Sequence, residues 1–200
     1  SQLVSLPDAD ITALTSSQVA VLSTSQVAAL ALSQVQALET EDVAAWTAEQ
    51  ITALTDDQLG ALPDGHVTAI RNAAIAALSN TQLNAMTSSQ VASLTTAQIR
   101  ALGTDQIAAI QTDDLAGLTS DHIAALLSAQ VAAITTDQLR AFDTTQIASI
   151  SSTSIPALSS LQIVALKTDQ AAAFTSDQMV AFTTAQITAF ATDDLQAIRD

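Results

Sequence analysis

Cysteine and tyrosine are absent from this 200-residue chain, and aromatic residues make up only 2% of it. Without cysteine the protein has no disulfide and no thiolate metal site, although this leaves the cellular compartment open. Four glycines and three prolines form neither a phosphate-binding loop nor a Gly-x-Ser-x-Gly nucleophile elbow. No apolar run approaches the roughly 18 residues of a transmembrane helix. The start, SQLVSLP, lacks Met and the form of a signal peptide, so we expect an excerpt or a processed product.

Positive charge is equally scarce. Five Lys and Arg residues stand against 20 Asp and Glu residues, which gives a net charge of −15. The basic residues lie singly along the chain, so no basic patch exists that could bind the phosphates of nucleic acid or an anionic membrane. We therefore expect no nucleic-acid partner and no membrane insertion.

A repeat of eight residues fills the chain. It divides into 25 octads without insertion or deletion when residues 2, 10, 18 and so on to 194 are taken as the first position. That position is Gln in 17 octads, the second is Val, Ile or Leu in 23, the fourth is Ala in 20, and the fifth is large and apolar in all 25. The sixth and seventh are mostly Thr or Ser. Regular apolar positions in a low-complexity chain indicate a repeat array rather than disorder.

The period of eight excludes two regular structures. In a strand, the second and fifth positions would face opposite sides of the sheet. In a continuous α-helix at about 100° per residue, the apolar pair would rotate by about 80° from one octad to the next, so no stripe would form. The chain must therefore turn once in every octad.

A capping box shows where each helix begins. Thr95, Thr96, Ala97 and Gln98 have the Thr-x-x-Gln form in which the first side chain and the last satisfy each other's backbone N–H groups. Many of the aspartates fall in the first helical turn, where they favour the helix dipole. Replacing Gln98 alone with Ala should cost about 1 kcal/mol or less, because one reciprocal bond is lost in a long array.

The sequence thus predicts an all-α solenoid, or superhelix, of short helices, with one helix of about five to seven residues per octad and no β-sheet. Helices this short are stable only when packed, so successive helices must coil around a shared apolar core as one continuous array over residues 1–200. We expect positions two, four and five to be buried, with two to four octads per coil; the handedness stays open. Without polar capping octads at either end, such an array should associate with itself end to end or laterally.

Irregular octads are the expected weak points. Pro156 falls inside a predicted helix whose first position is Ser154, so this octad should be distorted. The octad around Arg71 and Ala74 has no capping box. Three leucines stand at normally polar positions and should face outward: Leu32, Leu127 and Leu161.

Residues with catalytic or ligand chemistry are few. His66 and His122 replace the first-position Gln in distant octads, where they suit helix starts better than a metal or general-base pair. The acidic pairs Asp56-Asp57, Asp113-Asp114 and Asp193-Asp194 fit helix capping, with calcium as the weaker alternative because no EF-hand loop accompanies them. We expect no catalytic, cofactor-binding or metal residues and no enzyme. Rows of Thr and Ser hydroxyls leave binding of ice or glycan as the alternative to a structural role.

The octads TTAQIRAL (95–102), TSSQVASL (87–94) and TTDQLRAF (135–142) resemble the tandem Leu-Thr-x-x-Gln-Val-x-Ala arrays of very large secreted bacterial surface, adhesin-like or extracellular-matrix proteins. The resemblance covers all 25 octads and rests on composition and period. It implies an extracellular or cell-surface location and service as a spacer, stalk or fibre.

Overall fold

Each octad from the second onward forms one helical segment, as predicted. The computed structural model describes residues 5–199, and no strand occurs among them. The α-helices of the first half are Asp8–Thr12 (α1), Ser16–Ala20 (α2), Thr24–Ala28 (α3), Leu32–Ala37 (α4), Thr40–Ala45 (α5), Ala48–Thr52 (α6), Asp56–Ala61 (α7), Asp64–Ala69 (α8), Asn72–Ala77 (α9), Asn80–Ala85 (α10), Ser88–Ser93 (α11) and Thr96–Ala101 (α12).

The second half continues the same pattern, with one 3₁₀ helix at Ser152–Ala157. Its α-helices are Thr104–Ala109 (α13), Thr112–Ala116 (α14), Ser120–Ala125 (α15), Ser128–Ala133 (α16), Thr136–Ala141 (α17), Thr144–Ser149 (α18), Ser160–Ala165 (α19), Thr168–Ala172 (α20), Ser176–Ala181 (α21), Thr184–Ile187 (α22) and Thr192–Arg199 (α23).

Corners between helices consist of extended residues and need no left-handed backbone. At the end of α12, Leu102 has φ −60° and ψ 138°, and Gly103, which precedes α13, has φ −73° and ψ 163°. No residue in the described range has a positive φ. Residues of any type adopt these angles, which explains why so regular a series of turns requires so few glycines.

The chain contacts divide into two compact units, Ser1–Leu102 and Gly103–Asp200. Within each unit, every helical segment packs against the third segment after it, so three octads make one coil. The first unit holds the stacks α1/α4/α7/α10, α2/α5/α8/α11 and α3/α6/α9/α12. The second holds α13/α16/3₁₀/α21, α14/α17/α19/α22 and α15/α18/α20/α23. Three lies within the predicted range of two to four octads per coil.

An aromatic cluster in the second unit shows how one coil fills its core. Phe174, Phe182 and Phe190 are the fifth residues of three consecutive octads, and their rings meet edge to face with centroids 4.9, 5.2 and 6.3 Å apart. Such geometry is favourable for aromatic rings. Three successive octads therefore send their fifth residue into one shared layer.

Burial confirms two of the three predicted core positions and corrects the third. The second and fifth residues of α12's octad, Ile99 and Leu102, are 0% and 3% exposed. Alanine at the fourth position is only half-buried, as at Ala101, so the prediction that it belongs to the core was wrong. Its place is taken by the first-position Gln, of which Gln98 at 1% exposed is typical. The three unusual leucines face outward as expected, since Leu32, Leu127 and Leu161 are 46%, 42% and 76% exposed.

The octad of Pro156 is distorted, as predicted. Residues 152–157 form the 3₁₀ helix, because proline has no N–H for an α-helical hydrogen bond. Ile155 and Leu158 nevertheless stay buried, and the segment packs against α16 and α21. The short Ser154 side chain approaches the Ser128 hydroxyl at 3.2 Å. The defect thus changes the local helix but leaves the stack intact.

Repairing this octad should stabilise the protein. Replacing Ser154 with Gln and Pro156 with Ala restores the common octad pattern, and we expect a gain of about 1–3 kcal/mol in the free energy of unfolding. Urea denaturation of the two single variants and the double variant measures it. A double variant no more stable than the parent would show that the 3₁₀ helix carries no penalty.

Candidate functional site

The regular spacing of glutamine creates the main chemical feature of the fold. Gln98 Oε1 accepts the N–H of Thr95 at 2.8 Å, and Thr95 Oγ1 accepts the N–H of Gln98 at 3.2 Å. This is the predicted capping box. The amide nitrogen of the same side chain, Nε2, donates to the carbonyls of Val67 and Ile70, both at 2.8 Å. Gln98 thereby joins the start of α12 to the end of α8.

The bonds from Nε2 satisfy carbonyl groups that short helices leave without partners. The last four carbonyls of any α-helix lack intrahelical partners, and in helices of five or six residues these are most of the carbonyls. Val67 and Ile70 lie at the end of α8 and are both buried. One glutamine therefore caps the N-terminus of its own helix and the C-terminus of the fourth helix before it.

The same bond recurs throughout both units at a fixed sequence separation. In each case Nε2 donates to the carbonyl 28 residues earlier, at 2.6–3.1 Å. We call this series the glutamine ladder. Its members are Gln34, Gln50, Gln58, Gln82, Gln90 and Gln98 in the first unit, and Gln138, Gln146, Gln162, Gln170, Gln178 and Gln186 in the second.

The bond from the backbone to glutamine Oε1 persists where the other half of the capping box is missing. Ala31, Leu127 and Lys167 offer no side-chain cap, yet their N–H groups still donate to Oε1 of the following Gln at 2.8–3.0 Å. The glutamine is therefore the constant element, and the threonine is replaceable.

Sequence reasoning found the capping role of Gln and missed the bond to the earlier coil. A signal for it was present: a capping box accepts Glu as readily as Gln, but no octad has Glu at its first position. Only the amide supplies a donor as well as an acceptor. Because Gln occurs at this position and Glu does not, the side-chain N–H groups are needed as donors. They must therefore reach a buried acceptor.

Arg71 replaces the ladder where the first-position residue is Ala74. Its guanidinium donates to the carbonyl of Ala45 at 2.9 Å and to that of Trp46. Trp46 lies 28 residues before Ala74, so Arg71 reaches the carbonyl that a glutamine at this position would serve. The octad predicted to be weak thus has a substitute cap on the end of α5.

The two histidines occupy ladder positions in different units and form no pair. His122 Nδ1 accepts the N–H of Thr119 at 3.3 Å, so it serves in a capping box. His66 is 7% exposed, and its Nδ1 has no hydrogen-bond partner among the described residues. Burial lowers the pKa of His66, an effect that the nearby carboxylate of Asp42 partly offsets.

The acidic pairs lie in first helical turns, as expected for capping. Asp56 and Asp57 are both exposed at the start of α7. In the pair 113–114, Asp113 is exposed whereas Asp114 is buried at the ladder position, so the two carboxylates do not face one ligand. Within residues 5–199 no group of three or more His, Cys, Asp or Glu side chains is arranged to hold a metal ion.

Exposed hydroxyls line the corners, although their rows are interrupted. The caps Thr15 and Thr87 in the α2/α5/α8/α11 stack are separated by Glu39 and Pro63. Each capping Thr uses its hydroxyl oxygen as an acceptor, and Thr15 and Thr183 also donate their hydroxyl proton to Oε1 of Gln18 and Gln186, at 3.0 and 3.1 Å. A longer run occurs in the second unit, where Thr135, Ser159 and Thr183 cap α17, α19 and α22.

One surface groove of about 490 Å³ crosses α4, α7 and α10. Leu32, Asp56, Asp57, Gly60, Ala61 and Ala85 line it. A Cβ on Gly60 would lie 2.9 Å from the Ala85 carbonyl oxygen, so glycine here permits the close approach of two coils. The groove contains no buried titratable group. None of the helices in the described part of the chain is both long and apolar enough to span a membrane.

Five segments of the chain match the profile of one known repeat family. The ALTTAQ repeat profile matches residues 3–40, 35–72, 107–144, 131–168 and 147–184. The chain belongs to the ALTTAQ repeat family. The matches confirm a tandem-repeat protein and leave the surface or adhesin setting as a prediction. No curated protein matches the chain.

Substitutions of Gln98 should separate its two roles. With three good bonds in a buried site, Gln98→Ala should cost about 2–4 kcal/mol, more than capping alone predicts. Gln98→Glu keeps an acceptor for Thr95 but faces a carboxylate toward two carbonyls, so it should be at least as damaging at pH 7. Its deficit should shrink at pH 4–5, because a protonated carboxyl can again donate. Urea denaturation against pH measures both; equal stability of Gln98→Glu and the parent at pH 7 would contradict the ladder.

Loss of Arg71 should be rescued by restoring the ladder beside it. Arg71→Ala leaves the Ala45 and Trp46 carbonyls without a side-chain donor and should cost about 1–3 kcal/mol. Adding Ala74→Gln to that variant should recover most of the loss, which urea denaturation measures. As a control, removal of the exposed Arg100 should change stability by less than about 0.5 kcal/mol. Failure of the Ala74→Gln substitution to rescue would mean that Arg71 acts in another way.

Proposed function

We propose that this chain is a structural element, in which stacked coils build an extended filament, stalk or matrix component outside the cell. The observation that carries the proposal is the glutamine ladder, since one side chain satisfies helix ends in two successive coils. Stability then comes from contact between neighbouring coils, as in other quasi-one-dimensional repeat proteins. The proposal assigns the chain no catalytic role.

The chemistry of coil stacking favours self-association end to end. One side of each coil presents glutamine Nε2 donors, and the other presents carbonyl acceptors at the helix ends. A coil of a second copy offers the same donors and acceptors, so the contact is head to tail and can propagate. Gln18 and Gln26 illustrate the donor side, since Gln18 is exposed and Gln26 is half-buried.

The assembly experiment uses the chain itself. Sedimentation velocity and negative-stain microscopy across a concentration series should show filaments that lengthen with concentration. Gln18→Glu with Gln26→Glu preserves the acceptors for Thr15 and Ser23 but removes the amide donors, so it should suppress filaments. Ala108→Glu with Ala132→Glu adds the same charge at exposed outward positions and should leave assembly unchanged.

Two results would contradict the proposal. One is a folded monomer at every concentration. The other is filament formation by the Gln18/Gln26 variant equal to that of the Ala108/Ala132 control, because coil stacking would then not be the contact.

Display of hydroxyls to glycan or ice is the second candidate, favoured by the exposed capping hydroxyls that follow one another along the stack of α17, α19 and α22. The run Thr135, Ser159 and Thr183 is the place to test it. Replacing these three with Asp keeps a capping acceptor and removes the hydroxyls. Loss of binding on a glycan array or of ice-growth inhibition, with unchanged helicity, would support this role, whereas absence of both activities in the parent would exclude it.

A further inference from the structure

His66 has a buried ring nitrogen without a hydrogen-bond partner, a property that it shares among the described residues only with Nε1 of Trp46. His66 takes the ladder position of α8, and the capping residue before it is Pro63. In the equivalent arrangement at His122, Nδ1 accepts a backbone N–H from Thr119. Proline has no N–H, which explains why Nδ1 of His66 has no partner.

Protonation of His66 is opposed by this geometry. An imidazolium carries protons on both nitrogens, so Nδ1 would have to place an N–H in a buried site without an acceptor. Of the helices packed against α8, α5 brings Glu41 and the buried Asp42, and α11 has no titratable residue. Asp42 favours the charged form, yet the desolvation of His66 is the larger influence, and its pKa lies below the ordinary 6.5. On α8 itself, the Asp64 carboxylate already accepts from the Ser89 hydroxyl at 2.5 Å.

The glutamine ladder has few members around His66. Three positions between 42 and 74 lack glutamine: Asp42, His66 and Ala74. Asp42 accepts from the Glu39 N–H at 3.1 Å, and an ionised carboxylate has no donor for an earlier carbonyl. Only Ala74 is compensated, by Arg71. At His66 the ladder bond to the carbonyl 28 residues earlier is missing, so the contact of α8 with the coil that contains α5 has one cross-coil hydrogen bond fewer than an octad with glutamine at this position.

We propose that His66 makes the α5/α8 stack acid-sensitive, so that this part of the first unit opens at mildly acidic pH while the intact glutamine ladder elsewhere stays closed. The sign follows from linkage: a group with a lowered pKa in the folded state gives stability that is complete above its unfolded pKa and is lost as pH falls below about 6.5. Glutamine has no such titration, so coils with intact ladder positions do not respond over this range.

Trp46 supplies a local reporter. It is the sole tryptophan of the chain, it is 1% exposed, and it follows α5 directly, at the carbonyl that Arg71 holds. Opening of the α5/α8 stack exposes its ring to water. Its fluorescence therefore follows this stack without any label.

The experiment records Trp46 emission and amide hydrogen exchange of the whole chain between pH 7.5 and 5, in a range above the titration of ordinary aspartates. After correction for intrinsic exchange, opening of segment 39–70 should increase by up to about tenfold per pH unit below 6.5, with a red shift of the emission. Helices of octads with glutamine at the first position should show no such increase. His66→Gln should abolish the response, and His122→Gln, its matched control, should keep it.

Pro63→Thr provides a variant that gives Nδ1 the missing N–H donor. Because that bond needs the neutral imidazole, the opening should move to lower pH and the chain should stay folded at pH 7. Exchange in 39–70 that is independent of pH in the parent would overturn the proposal. So would an acid response that persists unchanged in His66→Gln.

Discussion

Helices of five or six residues leave most of their backbone N–H and carbonyl groups without partners inside the helix. In this protein the constraint is met by one side chain per octad. The acceptor oxygen of glutamine closes the start of its own helix, and its donor nitrogen closes the end of the fourth helix before it, as Gln98 does for α12 and α8. The coils are thus joined by the same groups that allow such short helices to exist.

This arrangement explains why the array tolerates irregular octads. Each bond joins one helix to one earlier helix, so a fault at one position is confined to a few segments. Pro156 converts its own segment to a 3₁₀ helix while Gln186 still bonds to the carbonyls of Ile155 and Leu158. At Ala74 the missing amide is replaced by a guanidinium from Arg71. At His66 no other side chain replaces the missing glutamine bond.

The period of eight, the position of the capping box and the apolar second and fifth residues were sufficient to predict short helices in a solenoid. They were local properties, and each follows from the chemistry of a single octad. The number of octads per coil could not be predicted, because it depends on which helix lies beneath another. The burial of Gln98 was missed for the same reason: its carbonyl partners lie 28 and 31 residues away. Alanine at position four was misplaced in the core because it is apolar and small enough to let neighbouring backbones approach closely.

The candidate functional features were likewise only partly predictable from the sequence. That His66 and His122 are separate could be predicted from their spacing, but the orphaned Nδ1 of His66 emerges only from the combination of Pro63 at the cap and burial under a coil. The replacement of glutamine by Arg71 also has no local signature. Both are consequences of stacking, which a period alone does not specify.

The central claim is that glutamine side chains bond across coils. It is tested most directly by nuclear magnetic resonance of the Gln98 side-chain amide in the folded chain. The account predicts slow exchange of its protons and a scalar coupling across the hydrogen bond between Nε2 and the carbonyl carbon of Ile70. Exchange at the rate of a free amide, without coupling to Ile70 or Val67, would contradict it.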